Sequence, residues 1–206
     1  MIHGYHLIFG TYGFWLPNDP RGSWSDFVNS WELARFGKAT KSAERSDVDV
    51  DQLAQWRLAA QRTLKYPSVV LSDIQIKAVG TGFGNSVQKS GLTVWACSIL
   101  PQHVHLVVAR HTYSAEQMVN LLKGEATKSM KSQAIHPLQT CADSKGKVPT
   151  MWAEGQWIVY LDSEPAIESA IHYVEENPLK EGAPQQQWPF VSPFSGLGGG
   201  GWMTYH

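Results

Sequence analysis

Charge is scarce in this chain. Asp, Glu, Lys and Arg make up 17% of its 206 residues, and the formal net charge is −1. That balance argues against an extended, sequence-blind binder of double-helical nucleic acid, which carries a marked basic excess. It leaves room for a small basic patch working with a metal ion. Cysteine is also scarce: Cys97 and Cys141 cannot define a disulfide framework, and a reducing compartment suits them. No apolar run approaches the roughly 18 residues of a membrane span. The opening MIHGYHLIFG lacks the basic start and small-residue cleavage site of a secretory signal. The expected location is therefore cytoplasmic, with no membrane contact. No internal repeat is visible.

Aromatic residues are plentiful by contrast, with nine Trp. The length suits one domain able to bury a core without disulfide or metal staples. Residues 3–12 are uncharged, aromatic and branched, and read as a buried first strand. Turn formers follow at Asn18, Asp19, Pro20 and Gly22, then a polar insertion over about 25–50. Helical spacing marks 51–65, and Ser72 or Asp73 can cap a second helix over 73–89, weakened by Gly80, Gly82 and Gly84. LTVWACSIL (92–100) and HVHLVVAR (103–110) read as a hairpin broken at Pro101-Gln102. Ser114 caps a helix over 115–133; 136–150 is loop; GQWIVYLD (155–162) is a strand. Ser163 caps a helix over 164–176, with Pro165 tolerated in its first turn. The tail 184–206, rich in Pro and Gly, should be irregular or mobile. This order predicts an α+β sandwich with helices on a mostly antiparallel sheet.

Two constellations carry chemistry. In His103-Val104-His105 the imidazoles fall on one face of a strand, and Val104 on the other. Two neighbouring imidazoles are half of a metal site; they also suit ordinary strand histidines. In AIHYVEENPLKEG (170–182), Tyr173 and Asn177 share one helix face, and Pro178 should end the helix near Asn177. A core tyrosine and a helix-capping asparagine are the plainer readings of that pair.

Taken together, these stretches resemble the HUH single-tyrosine transposases of small insertion sequences and their domesticated relatives, the REP-associated tyrosine transposases. PQHVHLVV (101–108) is similar to the family's HUH strand, and HYVEENPLKEG (172–182) to its tyrosine helix. GTYGFWLPNDPRG (10–22) and WPFVSPF (188–194) resemble the family's opening turn and closing segment. Asn177 matches the domesticated branch, whereas the insertion-sequence branch commonly has Gln.

The resemblance implies a ferredoxin-like (RRM-like) sandwich over residues 1–183, followed by the irregular tail. It implies a metal-dependent endonuclease that nicks and rejoins single-stranded DNA in transposition. His103, His105 and Asn177 would be the metal ligands, and Tyr173 the nucleophile. Mg²⁺ or Mn²⁺ suits such a mixed nitrogen and oxygen set. Attack by Tyr173 would give a 5′-phosphotyrosine that conserves bond energy for rejoining. The expected partner is single-stranded or hairpin DNA, and the expected assembly a monomer or homodimer. Lys123, Lys128 and Lys131, on the helix after the HVH strand, are candidate phosphate contacts or simply a solvated face. Trp95, Trp152 and Trp157 are candidate base-stacking or core residues. The competing readings are a binder of the same fold that has lost cleavage, and an unrelated metal hydrolase. The latter would need a further Asp or His near the motif, which Ala109-Arg110-His111 does not supply.

Overall fold

The computed structural model describes residues 1–14, 55 and 58–197. Four strands form one antiparallel sheet: β1 (Gly4–Gly10), β2 (Val94–Ile99), β3 (His103–Ala109) and β4 (Trp157–Leu161). Their spatial order is β2-β3-β1-β4. Helix α1 (Asp73–Ser90) joins β1 to β2, α2 (Ala115–Ser132) joins β3 to β4, and α3 (Glu164–Lys180) follows β4. This is the ferredoxin-like α+β arrangement expected, with α3 added. Residues 58–62, inside the helix expected over 51–65, are helical. The polar insertion lies outside the described residues, as does most of the opening turn.

Alternation along β3 sorts its side chains between two layers. Val104, Leu106 and Val108 join Leu7 and Phe9 in the larger core, under Val79 and Phe83 of α1 and Met118, Leu122 and Met130 of α2. Val107 faces the other way. With Ala96 and Leu161 it packs against Ile167, Ala170 and Val174 of α3. His103 and His105 share the parity of Val107, so they face α3.

The helix starts follow their caps. Ser114 Oγ accepts from the Gln117 N–H at 3.2 Å, and the Gln117 carboxamide accepts from the Ser114 N–H at 2.8 Å. Ser72 is the N-cap of α1, where Gln75 accepts from its N–H at 2.9 Å. The glycines expected to weaken α1 have a packing reason. A Cβ at Gly82 would run into the Ala126 backbone of α2, and one at Gly80 into the Trp188 ring. Close approach of two helices and of an indole offsets the roughly 1 kcal/mol that glycine costs a helix.

One expectation is corrected. Helix α3 does not stop near Asn177; it runs through Pro178 to Lys180. The proline removes the one N–H that would bond Val174, only two residues before the helix end, so the helix preceding it keeps its own bonds. The tail is irregular over 184–197, as expected, but it is packed. Gln186 bridges the N–H and C=O of Ile99 at 2.8 and 2.7 Å, and the Ser192 N–H donates to Val94 O at 2.8 Å. These bonds cover the outer edge of β2, which would otherwise offer unpaired backbone groups.

Candidate active site

Strand β3 and helix α3 bring the two sequence constellations onto one face. His103 and His105 are buried, and their ring centroids lie 5.0 Å apart. Tyr173 is 44% exposed, and its ring lies 5.6 Å from the His105 ring. A buried neighbour on one side and solvent on the other leave this tyrosine accessible to a large substrate.

Asn177, one turn beyond Tyr173, is buried, and its amide nitrogen has no hydrogen-bond partner. One turn further, Glu181 Oε1 lies 3.7 Å from His103 Nε2. Tyr173 lies against His105 and Glu181 against His103, so the intervening Asn177 falls between them by helical spacing. Among the described residues, no three His, Cys, Asp or Glu side chains form a cluster arranged to hold a metal.

Several residues at this site escaped the sequence reading. His6 of β1 is the foremost: its Nε2 lies 3.0 Å from Nδ1 of His105, and its ring 5.8 Å from that of Tyr173. Phe14, from the opening turn, stacks on His103 at 4.9 Å and 14°. Lys180 places its ammonium 5.1 Å from the Tyr173 ring while pairing with Glu176 at 3.2 Å. Ser98, opposite His105 in the β2–β3 register, is buried with an unpartnered hydroxyl. His6 was detectable in principle, since it alternates with Leu7 and Phe9 as the other histidines alternate with Val104 and Leu106.

Burial disfavours the charged forms of His6 and His105. It lowers His6 to about 4. Burial, then the charges of His103 and His6, lower His105 to about 2. Neutral rings keep the lone pairs that metal ligation or hydrogen-bond acceptance requires.

The candidate lysines do not converge here. They lie on α2, in the layer across the sheet from Tyr173. Lys123 turns inward: its ammonium donates to the carbonyls of Ala153 and Gly155 at 3.1 and 2.9 Å, and burial lowers its pKa to about 8. Lys128 pairs with Glu125 at 2.7 Å. Lys131 is exposed. Of the candidate stacking residues, Trp152 is a core residue, donating from Nε1 to Lys123 O and Thr127 Oγ1. Trp95 packs edge-on against Phe194 at 4.9 Å. Two other tyrosines lie away from this face or on its margin: Tyr160 stands on β4 against Tyr5, and Tyr113 lies before α2, beside His111.

No helix among the described residues is long and apolar enough to cross a membrane. No family model matches the chain, and no curated protein matches it. Among solved structures it is similar to a putative transposase from Deinococcus radiodurans, at 16% identity over 84% of this chain and 88% of that one, with a TM-score of 0.43. It is also similar to a REP-associated tyrosine transposase bound to a REP hairpin, at 11% identity over 92% of this chain and 76% of that one, with a TM-score of 0.46.

Proposed function

We propose that the chain nicks and rejoins single-stranded or hairpin DNA, with Tyr173 as nucleophile. One observation carries this reading: a half-exposed tyrosine lies 5.6 Å from a buried imidazole of a two-histidine strand. A structural tyrosine would have its ring inside and its hydroxyl at the rim. Tyr173 is instead 44% exposed beside two buried histidines, which supports a role at the surface of the site.

His103, His105 and the Asn177 amide would hold Mg²⁺ or Mn²⁺, with Glu181 beside His103. Such an ion, when bound, withdraws charge from a phosphate oxygen. The Tyr173 oxygen attacks phosphorus, the bond to the 3′-oxygen breaks, and that oxygen leaves with a proton as a free hydroxyl. The phenol proton passes to solvent or to a neighbouring base. The new phosphodiester joins Tyr173 to the 5′ side, and the reverse reaction with another 3′-hydroxyl rejoins strands without ATP.

Tyr173→Phe tests this. It keeps the ring and its packing and removes only the hydroxyl, so folding changes by at most about 1 kcal/mol. Wild type incubated with labelled hairpin DNA and Mn²⁺ should give a denaturation-resistant adduct on a gel, and the variant none. An adduct that persists in the variant rules out Tyr173 as nucleophile.

A further inference from the structure

His6 and His105 lie 99 residues apart in sequence and touch through a single pair of ring nitrogens. Their register explains the contact. His6 pairs with Val107 and Ile8 with His105, so the two histidines are diagonal neighbours on the face toward α3. Both are buried. Their ring nitrogens, 3.0 Å apart, can share one proton in only two ways. Either His6 donates from Nε2 and His105 carries its own proton on Nε2, or His105 donates from Nδ1 and keeps the Nε2 lone pair. Only the second leaves His105 a donor atom for a cation, because Nδ1 is already occupied by His6. A ligating histidine characteristically donates its other N–H to a fixed acceptor, which sets both tautomer and ring angle.

We infer that His6 is a positioning residue: its Nε2 accepts the His105 Nδ1 proton and thereby presents His105 Nε2 as the metal-binding atom. This rests on the reading of His103 and His105 as ligands. It adds an outer partner from β1, a strand that bears none of the assigned ligands. His6 then carries its own proton on Nδ1. The same contact fixes the His105 ring, whose centroid lies 5.6 Å from that of Tyr173.

The test reads the tautomer directly, in the metal-free full chain at neutral pH. Two-bond proton–nitrogen spectra of ¹⁵N-histidine-labelled protein should show His105 protonated on Nδ1 and His6 also on Nδ1. In His6→Ala, the His105 signal should move to the mixture of an unconstrained imidazole, and Mn²⁺ affinity by titration calorimetry should fall about 10- to 100-fold. His6→Gln, whose carboxamide oxygen can accept the same proton, should recover part of that loss. Circular dichroism checks that each variant is folded, and the wild-type spectrum decides the tautomer even if a variant is not. A wild-type His105 protonated on Nε2 overturns the inference, as does unchanged Mn²⁺ affinity in folded His6→Ala. Wild type that binds no Mn²⁺ sinks the metal reading instead, and the tautomer spectrum still decides the role of His6.

Discussion

The two faces of the sheet use the same four strands for opposite ends. Toward α1 and α2, the strands present Leu7, Phe9, Val104, Leu106 and Val108, all essentially inaccessible. Toward α3, the neighbouring positions are His6, Ser98, His103 and His105, with Asn177 across from them. Burying polar groups costs stability unless each finds a partner, and Ser98 and Asn177 each leave an atom without one. The first face is apolar throughout, whereas the second, although it buries Val107, Ala96 and Leu161 under α3, gives part of its area to buried polar groups. Adjacent residues of one strand can serve both purposes because the side-chain period is two.

The largest effect should separate the faces by neighbouring substitutions on β3. Leu106→Ala should lower unfolding free energy by about 2–5 kcal/mol, the usual range for a fully buried leucine. His105→Leu should leave stability within about 1 kcal/mol of wild type, because gained apolar burial offsets the hydrogen bond lost to His6. The same variant should lose Mn²⁺ binding. Urea denaturation of both proteins checks the contrast. Comparable destabilisation would mean that the histidine face is also structural.

The second test sharpens the contact within the stable layer. Gly82→Ala should cost about 1–3 kcal/mol, because the new methyl meets Ala126 backbone, which cannot swing aside. Gly84→Ala meets only Phe190 at 3.5 Å, an ordinary contact, and should gain up to about 1 kcal/mol from helix propensity. Thermal melts of the two variants should shift in opposite directions.

Local patterns made much of this legible. The hairpin around Pro101-Gln102 and the shared face of His103 and His105 follow from a period of two; the pairing of Tyr173 with Asn177 follows from the helical turn. What stayed hidden depends on distant contacts. His6 becomes part of the site only because β1 pairs with β3, and Phe14 only because the chain after β1 folds back over His103. The glycines of α1 were misleading because their cost is local while their benefit lies in α2 and Trp188. Pro178 was misleading for a related reason: a helix with Val174 and Asn177 packed beneath it tolerates a proline so near its end. The tail's composition suggested looseness, yet Gln186 and Ser192 find backbone partners on β2.

A smaller effect probes the inward-turned Lys123. Its folded pKa of about 8 lies below the ordinary value of 10.5, because burial disfavours the ammonium. Between those values the unfolded chain binds the extra proton, so stability should rise with pH across that window. Below pH 8 both states are charged, and the cost is constant. Partial exposure reduces the gain to on the order of 1–2 kcal/mol. The stability of wild type relative to Lys123→Met should therefore increase from pH 8 to 10.5. A flat difference would mean that the two carbonyls at the ammonium hold it fully charged.

The smallest effects ask which layer meets DNA. A lysine touching single-stranded phosphate adds about 0.7 to the slope of log affinity against log salt. Lys180 stands beside Tyr173, so if the proposed reading holds, Lys180→Ala should lower the slope by about that amount. Lys128 and Lys131 stand on α2, in the layer across the sheet from Tyr173. Their alanine variants should leave the slope unchanged and shift affinity less than about twofold at fixed salt. Fluorescence anisotropy with a labelled hairpin, repeated across salt concentrations, measures all three. If Lys128→Ala and Lys131→Ala each lower the slope and Lys180→Ala does not, DNA lies over α2. The separation of a folding face from a chemical face would then fail, because the substrate would be held in one layer and cut in the other.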